Sequence, residues 1–249
     1  ADTLHRMGLS LYLSEGVTPL NTVGFYVCTF MTILAYTFIN AGQPTILRDI
    51  IHVPDEQKGQ LSGDLNFYSE IVIISFVTGW GVLSDKVGRR VVYALGFLLM
   101  ACGLFLYPFA VSYEMLIGFR LVFAVGAAAA AAMMTALLSD YIRHSDKGKA
   151  AGYMGVAAGL GAVTAATVLL KIPRWAHGQS PAGGSRLMYE CAGGLQLLAL
   201  LTCATLAPRS KSQEENAHLP LHIILQQGIM GPCPAGPCVV PLVPGVELL

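Results

Sequence analysis

Charged residues are scarce in this chain of 249 residues. Asp, Glu, Lys and Arg make up 12% of the sequence, about half of the roughly 25% that is typical of soluble proteins. So few charges cannot cover the surface of a water-soluble enzyme. The 15 Lys and Arg residues are balanced by 15 Asp and Glu residues, so the chain also lacks the basic excess of a nucleic-acid-binding protein. We therefore expect no nucleic-acid partner.

Apolar residues are abundant instead. They form 54% of the chain, and the mean hydropathy is +0.60. This composition excludes disorder for most of the sequence. Neither a phosphate-binding Walker loop nor a nucleophile elbow is found, and we predict that the chain is not an enzyme. The composition indicates a membrane protein whose first partner is the lipid bilayer.

Continuous apolar runs predict membrane-spanning helices. About 20 apolar residues cross a bilayer as a helix, whereas barrel strands would alternate polar and apolar residues. Six runs qualify: 22–47, 65–83, 91–111, 113–138, 150–170 and 187–207. We predict an all-α, multi-pass integral membrane protein. It divides into an N-terminal segment (1–21), a six-helix domain (22–207) and a linker with an irregular Pro-rich tail (208–249).

The cations between the runs are unevenly distributed, and this predicts an orientation. Nine of the 15 lie on the side of the two termini, and five lie in the opposite loops. Cytoplasmic loops carry the excess of Lys and Arg. Both termini are therefore predicted on the cytoplasmic side, with the plasma membrane or an inner membrane favoured as the location.

The cysteines predict neither a disulfide framework nor a metal centre. Four of the six lie inside apolar runs, where cysteine acts as a small apolar residue. Cys233 and Cys238 have a loose spacing and lack the second pair that a zinc site needs. No metal or cofactor is predicted.

The link between the second and third runs, residues 81–90, is the most informative segment. The second run ends near residue 83 and the third begins near 91, so we expect a polar link of about seven residues between antiparallel neighbours. Gly88 suits a reversal that requires a positive φ. Arg89 and Arg90 suit contacts with lipid headgroups, and Asp85 can pair with a neighbouring cation.

This segment resembles the G-x-L-[SA]-D-[RK]-x-G-R-[RK] signature of major facilitator superfamily transporters, and it falls after the same helix. A second run, which begins at Arg120, is similar to the family's R-x-x-x-G-x-G-A-A pattern. The resemblance covers residues 20–207 and implies the amino-terminal six-helix half of a twelve-helix fold. It also implies a cytoplasmic latch between the two halves, formed by Gly81, Asp85, Lys86, Gly88, Arg89 and Arg90.

Ionisable residues inside the apolar runs are candidates for a translocation path, because a charge in the bilayer normally faces a cavity or a partner. Arg120 is expected to attract an anionic group, and Glu70 to pair with it or carry a proton. The alternative is a structural ion pair between helices. Asn40 and Gln43 join the candidates. Pro44 beside them is expected to end the first helix, and the alternative is a bend in the helix that acts in gating.

The function predicted from these features is transport of a small solute by alternating access. One six-helix half offers no opposing wall, so transport implies a second half, a homodimer partner or a larger membrane complex. The alternative is an MFS-derived structural subunit that does not transport. The sequence does not specify the solute.

Overall fold

Six long helices form the fold. A computed structural model describes Leu13 and residues 17–172 and 181–206. The helices are α1 (Pro19–Asp49), α2 (Asp55–Val87), α3 (Arg89–Leu106), α4 (Tyr113–Tyr141), α5 (Lys147–Thr167) and α6 (Pro181–Thr202). Each is long and apolar enough to cross a membrane, which confirms the predicted all-α membrane fold. Most of the N-terminal segment, and the tail with Cys233 and Cys238, lie outside the described residues.

The helices do not pack in chain order. Successive neighbours are α2, α4, α3, α6, α1 and α5, so α2 and α5 occupy the two ends of the series. More than half of the apolar stretch is buried in α1, α3 and α4, at 56% each, against 11% in α2 and 17% in α5. The core therefore lies among the inner helices, and the two end helices present long apolar faces outward.

Small residues allow the inner helices to approach closely. A side chain added at Gly126 of α4 would come within 2.7 Å of the Gly96 carbonyl oxygen on α3, and one added at Gly96 would lie 3.1 Å from the Gly126 carbonyl. Close backbone contact between small residues is a main source of helix association in membranes. The alanine-rich stretch 127–130 continues this contact and is buried.

The expected seven-residue link between the second and third spans is wrong. α2 continues to Val87 and α3 begins at Arg89, so Gly88 alone separates them. Gly88 has φ 108° and ψ 143°, a region that is essentially restricted to glycine. A single residue in this conformation reverses the chain, and the polar motif residues on either side remain helical.

The expected helix end at Pro44 is also wrong, because α1 passes through this residue and ends at Asp49. Proline removes one backbone donor, but the residues that follow it are held by packing: Ile46 and Leu47 are fully buried. Burial of these side chains favours continuing the helix beyond the proline.

Candidate functional site

Arg120 lies at the centre of the candidate site. It sits on α4 with 2% of its surface exposed. Its Nε donates to the hydroxyl of Ser69 at 2.9 Å, and its Nη2 donates to the side-chain oxygens of Asn66, at 2.9 Å, and Asn40. One arginine therefore joins α4 to α1 and α2, and every hydrogen bond recorded for it goes to a neutral group.

Glu70 does not pair with Arg120 in this structure. Its carboxylate accepts a hydrogen bond from the hydroxyl of Tyr36 on α1, and Glu70 itself is exposed. The predicted Arg120–Glu70 pair is therefore wrong within the described residues. Ser69, one position earlier on α2, contacts Arg120 instead, because successive helical residues point about 100° apart.

Gln43 links α1 to α2 through a hydrogen bond, about one helical turn from Asn40. It is fully buried, and its Nε2 donates to the carbonyl of Ser62 at 3.0 Å. Among the described residues, its Oε1 has no hydrogen-bond partner. Gln43 thus contributes an unpaired acceptor to the interior rather than a contact with Arg120.

A polar patch interrupts the apolar outer surface of α1 and α2. It consists of Tyr36, Asn40, Asn66 and Glu70, of which Asn66 and Glu70 are exposed and the other two half-buried. Glu70 lies next to the midpoint of α2. Arg120 lies behind the patch, inside the bundle, and donates hydrogen bonds to Asn40 and Asn66. Such groups are costly against lipid within a membrane span, so we expect the patch to face protein or a water-filled cavity.

Sequence reasoning found Arg120, Asn40 and Glu70 but missed Tyr36, Asn66 and Ser69. A signal was available on α2, since residues 66, 69 and 70 follow the spacing of three to four that places polar side chains on one helical face. The matching residues on α1 could not be identified from a spacing pattern. Tyr36 is 34 residues from Glu70, and only the packing of α1 against α2 brings them together.

The motif residues form a second cluster around Arg89. This side chain pairs with Asp85 of α2 at 3.0 Å and with Asp140 of α4 at 3.0 Å, and it also donates to the hydroxyl of Ser84. The arginine therefore joins the ends of three helices within the six-helix domain. Asp140 and Ser84 were not among the predicted latch residues.

The other motif residues have more open surroundings. Lys86 and Arg90 are exposed, and a side chain added at Gly81 would meet no atom within 4 Å. These three residues remain available to a second domain. Their predicted role in a latch between two halves stays a prediction.

Six helices that are long and apolar enough to cross a membrane, with a polar patch on two of them, define the class of this protein as a multi-pass integral membrane protein. The sequence model of the Major Facilitator Superfamily matches residues 25–216. The chain belongs to this family.

Two curated proteins illustrate the similarity. The riboflavin transporter RibZ of Clostridioides difficile (strain 630) is 31% identical over 132 residues, which cover 53% of this chain and 28% of RibZ. The magnetosome protein MamH of Paramagnetospirillum magneticum (strain ATCC 700264 / AMB-1) is 23% identical over 156 residues, which cover 59% of this chain and 36% of MamH. The chain therefore spans about a third of the length of these relatives.

A solved structure shares the fold. The proton:xylose symporter XylE superimposes with a TM-score of 0.65 at 15% identity, over 79% of this chain and 48% of the symporter. At this identity the likeness shows the fold alone. The part that matches is about half of the larger protein.

Proposed function

We propose that the chain moves a small solute across a membrane by alternating access, with its polar patch lining one wall of the path. The observation that carries this proposal is the position of the patch, within the apolar spans on the outer face of α1 and α2. Polar groups in that position require a protein or aqueous neighbour. A solute path between two halves provides both.

A second six-helix half would supply the opposing wall. The exposed apolar faces of α2 and α5, at the two ends of the helix series, support this arrangement. A second copy of the chain, a separate partner half or further sequence of the same protein would each fit. Both termini are proposed to lie on the cytoplasmic side, where positive loop charge accumulates.

The test is uptake into liposomes that contain the purified chain. Labelled riboflavin and xylose, the solutes named for RibZ and XylE, form the starting panel together with small organic acids. Glu70→Gln should lower uptake about tenfold or more while leaving the melting temperature close to that of the parent, because Glu70 is exposed and bonds to Tyr36 rather than to Arg120. Ser75→Ala is the matched control, because Ser75 is exposed on the same helix and bonds only within it.

The second candidate is a subunit of a larger membrane assembly that does not transport. The similarity to magnetosome proteins from Paramagnetospirillum magneticum favours it. Liposomes that remain inert, together with stoichiometric co-purification of a membrane partner from the native source, would support this alternative against transport. Uptake by the purified chain that Glu70→Gln abolishes would exclude it.

A further inference from the structure

The positive charge of Arg120 is buried without a carboxylate among its hydrogen-bond partners. Asn40, Asn66 and Ser69 are neutral, and the carboxylate of Glu70 accepts a hydrogen bond from Tyr36. Removing a charge from water is costly unless a counter-charge and hydrogen bonds compensate it. Arg120 therefore lacks part of the compensation that its 98% burial requires.

One edge of the guanidinium remains unsatisfied. Among the described residues, Nη1 of Arg120 has no hydrogen-bond partner, although Nε and Nη2 are both bonded. Nearly all buried polar atoms in native proteins are paired with protein or water. Nη1 therefore marks a place where an acceptor is missing.

Two tyrosine hydroxyls share this condition. Tyr107, which follows α3, and Tyr189 of α6 are fully buried, and neither hydroxyl has a hydrogen-bond partner within 3.5 Å among the described residues, although Tyr107 makes a weaker side-chain contact with Arg120. Their rings are stacked, with centroids 5.1 Å apart, and both phenols interact electrostatically with Arg120. Nη1 of Arg120 and the two phenol hydroxyls therefore lie in one buried neighbourhood, and each can still donate a hydrogen bond.

We propose that Nη1 of Arg120 and the hydroxyls of Tyr107 and Tyr189 bind one anionic acceptor inside the six-helix bundle. A guanidinium and two phenols can all donate to the same negative group, and that group would supply the missing counter-charge. A carboxylate of the transported solute and a free inorganic anion such as chloride share this chemistry. Only the carboxylate source rests on the proposed transport function.

The experiment measures binding without transport. The full chain in detergent is melted in sodium isethionate, whose anion is a sulfonate and not a carboxylate, with chloride or acetate replacing isethionate at constant ionic strength. A bound anion should raise the melting temperature saturably, by about 2–4 °C at concentrations well above its dissociation constant. The double variant Tyr107→Phe/Tyr189→Phe keeps both rings and should lose this rise. Tyr153→Phe, on α5 against Tyr26, should retain it.

The two anions distinguish the sources. A rise with acetate but not chloride assigns the site to a carboxylate, and the reverse assigns it to an inorganic anion. A parent protein with no saturable response, or a double variant that responds like the parent, overturns the proposal. Failure of uptake in liposomes would leave these melting results unchanged, so the site and the transport proposal fail separately.

Discussion

At the scale of single residues, Gly88 and Gly81 belong to the same motif but meet different constraints. Gly88 holds φ at 108°, whereas Gly81 is helical with open space around it. Gly88→Ala should lower the free energy of unfolding by about 1–3 kcal/mol, because a Cβ is strained in this conformation. Gly81→Ala is the control and should change it by less than about 1 kcal/mol. Thermal melting in detergent checks both, and equal effects would contradict the role assigned to Gly88.

Arg89 and Arg90 form a second matched pair. Arg89 is mostly buried and bonds to Ser84, Asp85 and Asp140, whereas Arg90 is exposed. Arg89→Gln should lower the free energy of unfolding by about 1–3 kcal/mol, since it leaves Ser84 and two half-buried carboxylates with an uncharged, weaker donor. Arg90→Gln should stay within about 0.5 kcal/mol. If the two melting curves coincide, Arg89 does not fasten these helix ends together.

Individual side chains were predictable where a motif or an isolated charge marked them. Arg89 and Arg120 stood out in the sequence, but their partners Asp140 and Asn66 did not, because these residues are more than fifty positions away in the chain. The Arg120–Glu70 pairing failed for a related reason. Choosing between Ser69 and Glu70 requires the rotation of α2 about its own axis, which is set by its packing on α4.

At the scale of helices, apolar runs located all six elements but not their ends. Hydropathy marks where the bilayer lies, whereas a helix ends where backbone bonding and packing stop. α2 begins ten residues before the apolar run at 65–83 because polar residues continue the helix: Asp55 and Glu56 suit its first turn, and Lys58 pairs with Asp55. Pro44 led to a similar underestimate, because the buried residues that follow it hold α1 together as far as Asp49.

The contact between α3 and α4 gives a prediction at this scale. Gly126→Ala places a methyl group 2.7 Å from the Gly96 carbonyl oxygen, so the helices must separate, at a cost of about 1–3 kcal/mol. Gly118→Ala makes the same change on the same helix where no atom lies within 4 Å, and it should be neutral or stabilising. Melting temperatures in detergent decide this, and a neutral Gly126→Ala would show that the interface relaxes without loss.

At the scale of the whole molecule, the six helices form a series whose ends are the least buried elements. Gly152, Gly155 and Gly159 lie on the exposed face of α5, and a side chain at any of them would meet no atom within 4 Å. Small residues on an outward face permit another helix to pack closely. This face could not be assigned from the sequence, since the glycines of α5 equally suit packing inside the bundle, as Gly161 does against Phe30.

If a second half packs on this face, bulk there should disrupt assembly and leave the fold intact. Gly155→Leu/Gly159→Leu should keep the melting temperature of the separated chain, because the added side chains have open space around them. In mild detergent, the variant should shift from an assembled species toward the mass of one 26.4-kDa chain, and any uptake into liposomes should fall with it.

The control is Gly118→Leu, at an open position on α4, which should leave the assembled mass unchanged. If the double variant keeps the assembled mass, the second half packs on a different face. If instead its melting temperature falls as much as that of Gly126→Ala, the exposed face of α5 packs within its own domain, and the added side chains disturb the fold itself.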